Sequence, residues 1–217
     1  MRITLLALLL TIASITYAQE PSGRGEDYEL GGSLFRTDSI DLLGLGGATL
    51  DVGSATGYSL WGGYNFGPHF SLLGDMSQAR PSYTATRVIA ATGATQTIHA
   101  KLDMSIVHVK GIYNFLDGPV TPFVELGAGW AYLDSNLLTG AVSTGCWFDP
   151  WWGYICARFY DTYTETRPSY EGGFGVQWDV APGMLLRASL ERMRIDASDS
   201  TPNANIDVLR IATAWRF

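Results

Sequence analysis

The sequence predicts an all-β fold, an eight-stranded antiparallel up-and-down transmembrane β-barrel, on three observations. Eight segments alternate large apolar side chains with small or charged ones, their connections alternate short and long, and aromatic rings gather beside the short connections. Composition agrees: 25 glycines stand against only two lysines, Lys101 and Lys110, unlike a helix-rich soluble enzyme. The net charge of −7 sets nucleic acid aside as a partner, because neutralising phosphates takes a basic surface.

The chain starts with Met1-Arg2, an apolar run from Ile3 to Ile15, and Thr16-Tyr17-Ala18. This predicts a secretory signal over residues 1–18, cut after Ala18, and a single barrel domain over 19–217. The apolar stretch is too short for a membrane-spanning helix.

Along the mature chain, Tyr28, Leu30 and Leu34 oppose Glu29, Gly31 and Ser33. Tyr58, Leu60, Tyr64 and Phe66 then oppose Ser59, Trp61, Gly63 and Asn65, and Phe70, Leu72 and Met76 oppose Ser71, Asp75 and Ser77. The fourth segment, Ile98 to Phe115, slips phase: Leu102, Met104 and Ile106 share one face, Val107, Val109, Tyr113 and Phe115 the other. A bulge near Ile106 is expected. Val124, Leu126, Ala128, Trp130 and Tyr132 oppose Glu125, Gly127, Gly129 and Ala131. Tyr170, Phe174, Val176, Trp178 and Val180 oppose Glu171, Gly173, Gly175, Gln177 and Asp179. Leu186, Ala188 and Leu190 face away from Arg187, Ser189 and Glu191, and the last segment sets Leu209, Ile211, Thr213, Trp215 and Phe217 against Arg210, Ala212, Ala214 and Arg216.

Short, turn-rich links fall at Gly67-Pro68, Leu116 to Pro119 and Ala181-Pro182-Gly183, and long ones at about 37–49, 80–97, 133–161 and 196–205. Tight turns at one end and extended loops at the other are the habit of outer-membrane barrels. Tyr64, Phe66, Tyr113, Phe115, Trp178, Trp215 and Phe217 cluster at the turn end, where rings sit among lipid headgroups.

In such a barrel the apolar faces meet lipid and the charges point inward. The expected lumen set is Asp75, Lys110, Glu125, Glu171, Arg187, Glu191 and Arg210. Eight strands leave an interior that side chains roughly fill, which favours a plug of ion pairs over an open aqueous pore.

Cys146 and Cys156 sit in the longest link of an exported chain, and a disulfide between them is expected, worth about 3 kcal/mol by loop-closure entropy. Between them Trp147, Phe148, Trp151, Trp152 and Tyr154 form either a contact surface for a partner or lipid, or a self-packed cap. Arg80, Arg87, Arg158, Arg167, Arg192 and Arg194 fall near the outer rim, suited to lipopolysaccharide phosphates or simply to solvent.

The closing Ala214-Trp215-Arg216-Phe217, Gly62-Gly63-Tyr64-Asn65-Phe66 and the run from Pro122 to Gly129 resemble the small outer-membrane β-barrel family that includes the OmpA transmembrane domain, OmpX, OmpW and the opacity proteins. The resemblance implies a bacterial outer-membrane location and recognition of Trp215 and Phe217 by the barrel assembly machinery. It leaves activity open, because the family includes adhesins, structural proteins, narrow pores and lipid-modifying enzymes.

No catalytic residue, metal site or cofactor is assigned. His69 follows a turn proline, and His99 and His108 are too far apart along one segment to share a metal. Lipid A deacylase barrels carry a His and a Ser two residues apart, whereas His99 is followed by Ala100-Lys101 and His108 by Val109-Lys110. A Ser-His-carboxylate site assembled from different strands remains geometrically possible. The role expected is envelope structure and surface interaction through the outer loops; alternatives are a narrow pore for small or hydrophobic solutes and, last, a lipid A-modifying enzyme.

Overall fold

The computed structural model describes residues 25–43, 49–88, 94–138, 143–149, 153–159, 162–196 and 203–217. The expected signal segment, Trp151 and Trp152 lie outside the described residues. The strands in chain order are β1 (Glu26–Thr37), β2 (Ile40–Leu43), β3 (Thr49–Val52), β4 (Ala55–Phe66), β5 (Phe70–Ala79), β6 (Ser82–Val88) and β7 (Thr95–Lys101). Then follow β8 (Asp103–Asn114), β9 (Val120–Leu138), β10 (Ser143–Asp149), β11 (Gly153–Phe159), β12 (Thr162–Ala181), β13 (Met184–Ile195) and β14 (Ala204–Arg216). Eight of them close a barrel in the order β1-β14-β13-β12-β9-β8-β5-β4, each antiparallel to its neighbours.

Closure leaves the barrel sheet no free edge, which strands in lipid require. At the turn end the seam is sealed by two reciprocal backbone bonds of 3.0 Å, Tyr28 N–H to Phe217 C=O and Phe217 N–H to Tyr28 C=O. This places Trp215 and Phe217 on the outer face of the seam strand, with the Phe217 ring stacked on Tyr28 at 6.3 Å.

The period-two pattern sorts chemistry by face. Leu126 is 73% exposed and Leu60 67%, whereas Ser169, Thr121 and Gln177 are fully enclosed. Rings at the turn end touch in sequence around the outside: Tyr28 on Tyr64 at 5.1 Å, Tyr64 on Phe66 at 5.0 Å, Phe66 on Phe70 at 5.8 Å and Tyr113 on Phe115 at 5.4 Å. Gly67 and Gly183 take φ of 113° and 75° in two of the tight turns, a left-handed backbone that glycine adopts without steric cost.

Two expectations need correction. The bulge near Ile106 is absent: β8 keeps one register with both β5 and β9 from Met104 to Tyr113. Met104 and Ile106 point inward together with His108 and Lys110, because the interior is apolar near the loop end and ionic further down. The apparent phase slip was a change of chemistry on one face, and residues 98–101 belong to β7 instead.

The long links are also more than loops. β2, β3, β6 and β7 form a second, four-stranded sheet from the first two, and β10 pairs with β11 in the third. Tyr83 ties the second sheet to the barrel by donating its hydroxyl to the Ser135 carbonyl at 2.9 Å.

Candidate functional site

The barrel interior is layered. Towards the turn end Trp61, Leu73, Ile112, Phe123, Leu185 and Ala214 form one apolar cluster, with the buried polar Asn65, Ser71, Asn114 and Thr121 closer still to the turns. Nearest the loop end Phe35, Ala79, Met104, Ile106, Ala131, Met193, Ile195, Ile206 and Val208 form another. Between them lie most of the buried charges.

Arg210 is the hub of that ionic layer. Its guanidinium donates in a fork to Glu191, Nε to Oε1 at 2.7 Å and an outer nitrogen to Oε2 at 3.0 Å, and its remaining nitrogen donates to Ser33 and Ser59 at 2.9 and 3.0 Å. Asp75 lies 3.8 Å away and accepts from Ser77 at 2.6 Å. Lys110 reaches Glu171 at 2.5 Å, with Glu191 and Asp75 at 3.7 and 3.9 Å. Arg187 pairs with Glu29 at 2.5 Å, donates to Gln177 at 2.9 Å and lies over the Trp61 ring at 5.0 Å. Nearer the turns Arg216 bridges Asp179 at 2.9 Å and Glu29 at 3.5 Å. Desolvated charges of this kind are tolerable only as partnered sets, and a planar guanidinium fork meets a carboxylate better than lysine would.

All seven residues expected in the lumen are therefore inside, six of them ion-paired. Glu125 lines a void of about 30 Å³ beside Lys110, Arg187 and Arg210, and its Oε1 has no hydrogen-bond partner among the described residues. That space fits about one water molecule, which would satisfy it. Glu29 and Arg216 belong to the network although only their strand positions, not their partners, were legible in the sequence.

Glycines on β9 let the side chains of β8 cross to β12. Gly127 is paired with Lys110 on one side and Glu171 on the other, and a Cβ there would sit 2.7 Å from the Glu171 Oε1. Gly129 stands between His108 and Ser169 in the same way, and its Cβ would meet the Val107 carbonyl at 1.9 Å and the His108 ring at 2.8 Å. Bare backbone is what allows the imidazole to lie across the strand.

The result is a chain of three enclosed groups. The His108 Nδ1 lies 3.2 Å from Glu171 Oε2, and its Nε2 lies 2.6 Å from Ser169 Oγ. A carboxylate held by Lys110 only accepts, so it selects the tautomer of the neutral imidazole with its proton on Nδ1, in which Nε2 accepts from the serine hydroxyl. Sequence reading missed this trio. Ser169 and Glu171 are two apart on β12, but His108 is 61 positions from Ser169, and only the register through Gly129 brings it there. His69 instead contacts the Asn114 carbonyl at 2.9 Å and Asp117 at 3.3 Å beside the turns, and His99 contacts Thr84 at 3.0 Å in the second sheet.

Above the upper apolar cluster, a cavity of about 240 Å³ opens between the barrel mouth and the second sheet. Ile40, Leu42, Leu50 and Val52 line it from the sheet; Met104, Leu133, Ile195 and Ile206 line it from the barrel. Large aromatic side chains occupy the space beside three of the interior glycines. The space beside Gly31 is taken by Trp61, beside Gly57 by Phe35 and beside Gly175 by Phe123.

On the rim Arg80 pairs with Asp103, Arg167 with Glu165, Arg192 with Asp207 at 2.6 Å and Arg194 with Asp196 at 3.1 Å. Arg87 and Arg158 lie on β6 and β11. In the β10–β11 hairpin Cys146 is directly opposite Cys156, Trp147 opposite Ile155 and Phe148 opposite Tyr154. Among the described residues no cluster of three metal-binding side chains occurs.

Comparison with known proteins gives one architecture. The family model described as outer membrane protein beta-barrel domain matches residues 3–217. Among solved structures, the chain is similar to Neisserial surface protein A, with a TM-score of 0.55 and 13% identity over 92% of this chain and 100% of that one. It is similar also to the outer membrane protein OprG from Pseudomonas aeruginosa, with a TM-score of 0.54 and 13% identity over 90% of this chain and 98% of that one. No curated protein matches it in sequence.

Proposed function

Since the chain belongs to the outer membrane protein β-barrel family, we propose that it acts in envelope structure and surface interaction, with its lumen plugged and its working surface on the loop side. One observation carries this reading: the buried charges of the interior are paired with one another across the lumen, with two apolar clusters packed among and above them, and the void beside them is only about 30 Å³. Passage of a hydrated solute would require breaking buried ion pairs that each cost several kcal/mol to separate. The folded material is instead spent outside the barrel wall, in the four-stranded sheet and the β10–β11 hairpin.

In this reading residues 1–18 are removed on export, and Trp215 and Phe217 present the chain to the barrel assembly machinery. A Cys146–Cys156 bond staples the hairpin, whose Trp147, Phe148, Trp151, Trp152 and Tyr154 supply a contact surface for an extracellular partner. Of the arginines expected at the rim, Arg80, Arg87, Arg158, Arg192 and Arg194 meet lipopolysaccharide phosphates. The opposed register of the two cysteines supports the bond, because facing residues in an antiparallel pair lie about 4.5–5.5 Å apart at Cα, within disulfide range.

Planar-bilayer recording of purified protein tests the plugged lumen: no discrete conductance steps are expected. Reproducible steps would replace this reading with a narrow pore for small or hydrophobic solutes.

A further inference from the structure

The geometry points to an esterase site in the upper lumen: Ser169 as nucleophile, His108 as general base, Glu171 as its orienting carboxylate, and the apolar mouth cavity as the acyl-chain site. The substrate class is an aliphatic carboxylic ester.

Four observations converge on it. First, the hydrogen-bond chain runs from Ser169 to His108 at 2.6 Å and on to Glu171 at 3.2 Å, the contact pattern an activated serine needs. Second, one row of paired residues runs His108, Gly129, Ser169, Ile195, Ala204, and its last two members line the cavity. The serine thus stands where the ionic layer gives way to the apolar space. Third, Arg167 lies two residues before Ser169 on the inward side of β12 and also lines the cavity; an outer nitrogen of its guanidinium is held by Glu165, while its enclosed Nε has no hydrogen-bond partner among the described residues. Strand geometry sets positions two apart about 6.6 Å from each other, leaving room for a carbonyl oxygen between the arginine and the serine. An N–H there is placed to hold an oxyanion, which the strand backbones, with their N–H groups committed to the ladder, cannot do. Fourth, the cavity walls are mostly hydrocarbon, from Leu42, Leu50 and Val52 above to Met104 and Ile206 below, with Asp38, Glu165, Arg167 and Asp196 as the charged members of the lining.

The steps balance with water as the only co-reactant. As the Ser169 Oγ forms a bond to the ester carbon, its proton passes to His108 Nε2, and the Arg167 Nε–H meets the developing oxyanion. The alcohol leaves carrying the proton from His108. Water then adds to the acyl carbon, losing a proton to His108; the bond to Oγ breaks, the acid departs and the proton returns to Oγ. Ser169 is enclosed in the resting structure. The site is reached by displacing the cavity floor, where the unbranched Met104 is the side chain best able to move.

The test uses the full chain folded in detergent, with heat-modifiable gel mobility as the check on folding for every variant. An alkyl fluorophosphonate is expected to add one phosphonyl group, mapped to Ser169 by peptide mass, and p-nitrophenyl octanoate to be hydrolysed. Ser169→Ala should abolish both. His108→Gln should slow both by on the order of 100-fold or more. Met104→Ala should speed labelling by widening access. A parallel assay for fatty-acid release from phospholipid in mixed micelles distinguishes a lipid ester from a diffusible one as the source. Hydrolysis in either assay supports the proposal provided it is lost in Ser169→Ala. A folded wild type with no adduct at Ser169 and no ester turnover above Ser169→Ala overturns it, and leaves the trio as a structural hydrogen-bond chain.

Discussion

Towards the turn end, Tyr28, Tyr64 and Phe66 pack against one another on the outside while Trp61, Leu73 and Phe123 pack inside, and links of only two to five residues join the strands. At the loop end the interior is also apolar, around Met104, Ile195 and Ile206, but it is roofed by a second sheet with a cavity of about 240 Å³ beneath. The difference lies in what each end faces. Turns at the first end only have to reverse the chain among lipid headgroups. The second end must cover an apolar surface that neither lipid nor the ionic layer covers, and β2 and β3 supply Ile40, Leu42, Leu50 and Val52 for this purpose.

Removing the charge that joins the two ends should have the largest effect. Arg210→Ala leaves Glu191 and Asp75 without their guanidinium and strips the partner from Ser33 and Ser59. A loss of about 3–5 kcal/mol is expected for a broken buried pair, read as a shift in urea unfolding of the folded barrel in lipid vesicles. An unchanged midpoint would mean that the ionic layer is hydrated after all.

The same kind of substitution made at the two ends should then separate them. Leu190→Arg puts a charge on the lipid face, at a residue 45% exposed, and should cost about 2–4 kcal/mol near mid-bilayer. Leu42→Arg, on the roof sheet, lets the guanidinium reach water along its stem and should cost about 1 kcal/mol or less. Equal losses would show that the roof sheet folds as one unit with the barrel.

These contrasts also explain what was legible in the sequence. Wherever one face meets lipid and the other a polar lumen, as from Phe70 to Ser77 or Leu186 to Glu191, alternation gives strand, register and facing together. Met104 and Ile106 carry inward hydrocarbon, so their segment no longer distinguishes inside from outside, and the change read as a bulge. The second sheet escaped notice because β2 and β3 are four residues each, too short for a period to register. The ion-pair set was visible as charges at alternating positions. The His108–Ser169 contact was not, since it depends on the register of β9 against both neighbours and on Gly129 being bare.

Gly129→Ala tests that last dependence. A Cβ 1.9 Å from the Val107 carbonyl forces β8 and β9 apart or pushes the imidazole aside, and a cost of about 1–3 kcal/mol is expected from overpacking. Gly74→Ala is the control, because the nearest atom to its Cβ is 3.8 Å away. Measured by the same unfolding assay, a control that loses as much as Gly129→Ala would remove the case for a special crossing at β9.

The smallest effect should appear at the tie between roof and barrel. Burial raises the Tyr83 phenol above its ordinary value, opposed in part by the hydrogen bond to Ser135. The folded state therefore prefers the neutral ring more than the unfolded state does. Its contribution is complete below the ordinary phenol range near pH 10 and is lost as pH rises through the folded value. Hydrogen exchange of the amides in β6 and β7 should quicken above about pH 10 relative to those of β13, beyond the intrinsic rise in exchange rate. Tyr83→Phe should flatten that dependence while costing about 1 kcal/mol at neutral pH for the lost hydrogen bond. If the roof amides of the phenylalanine variant keep the wild-type pH profile, the tie lies elsewhere along the contact between the roof sheet and β9.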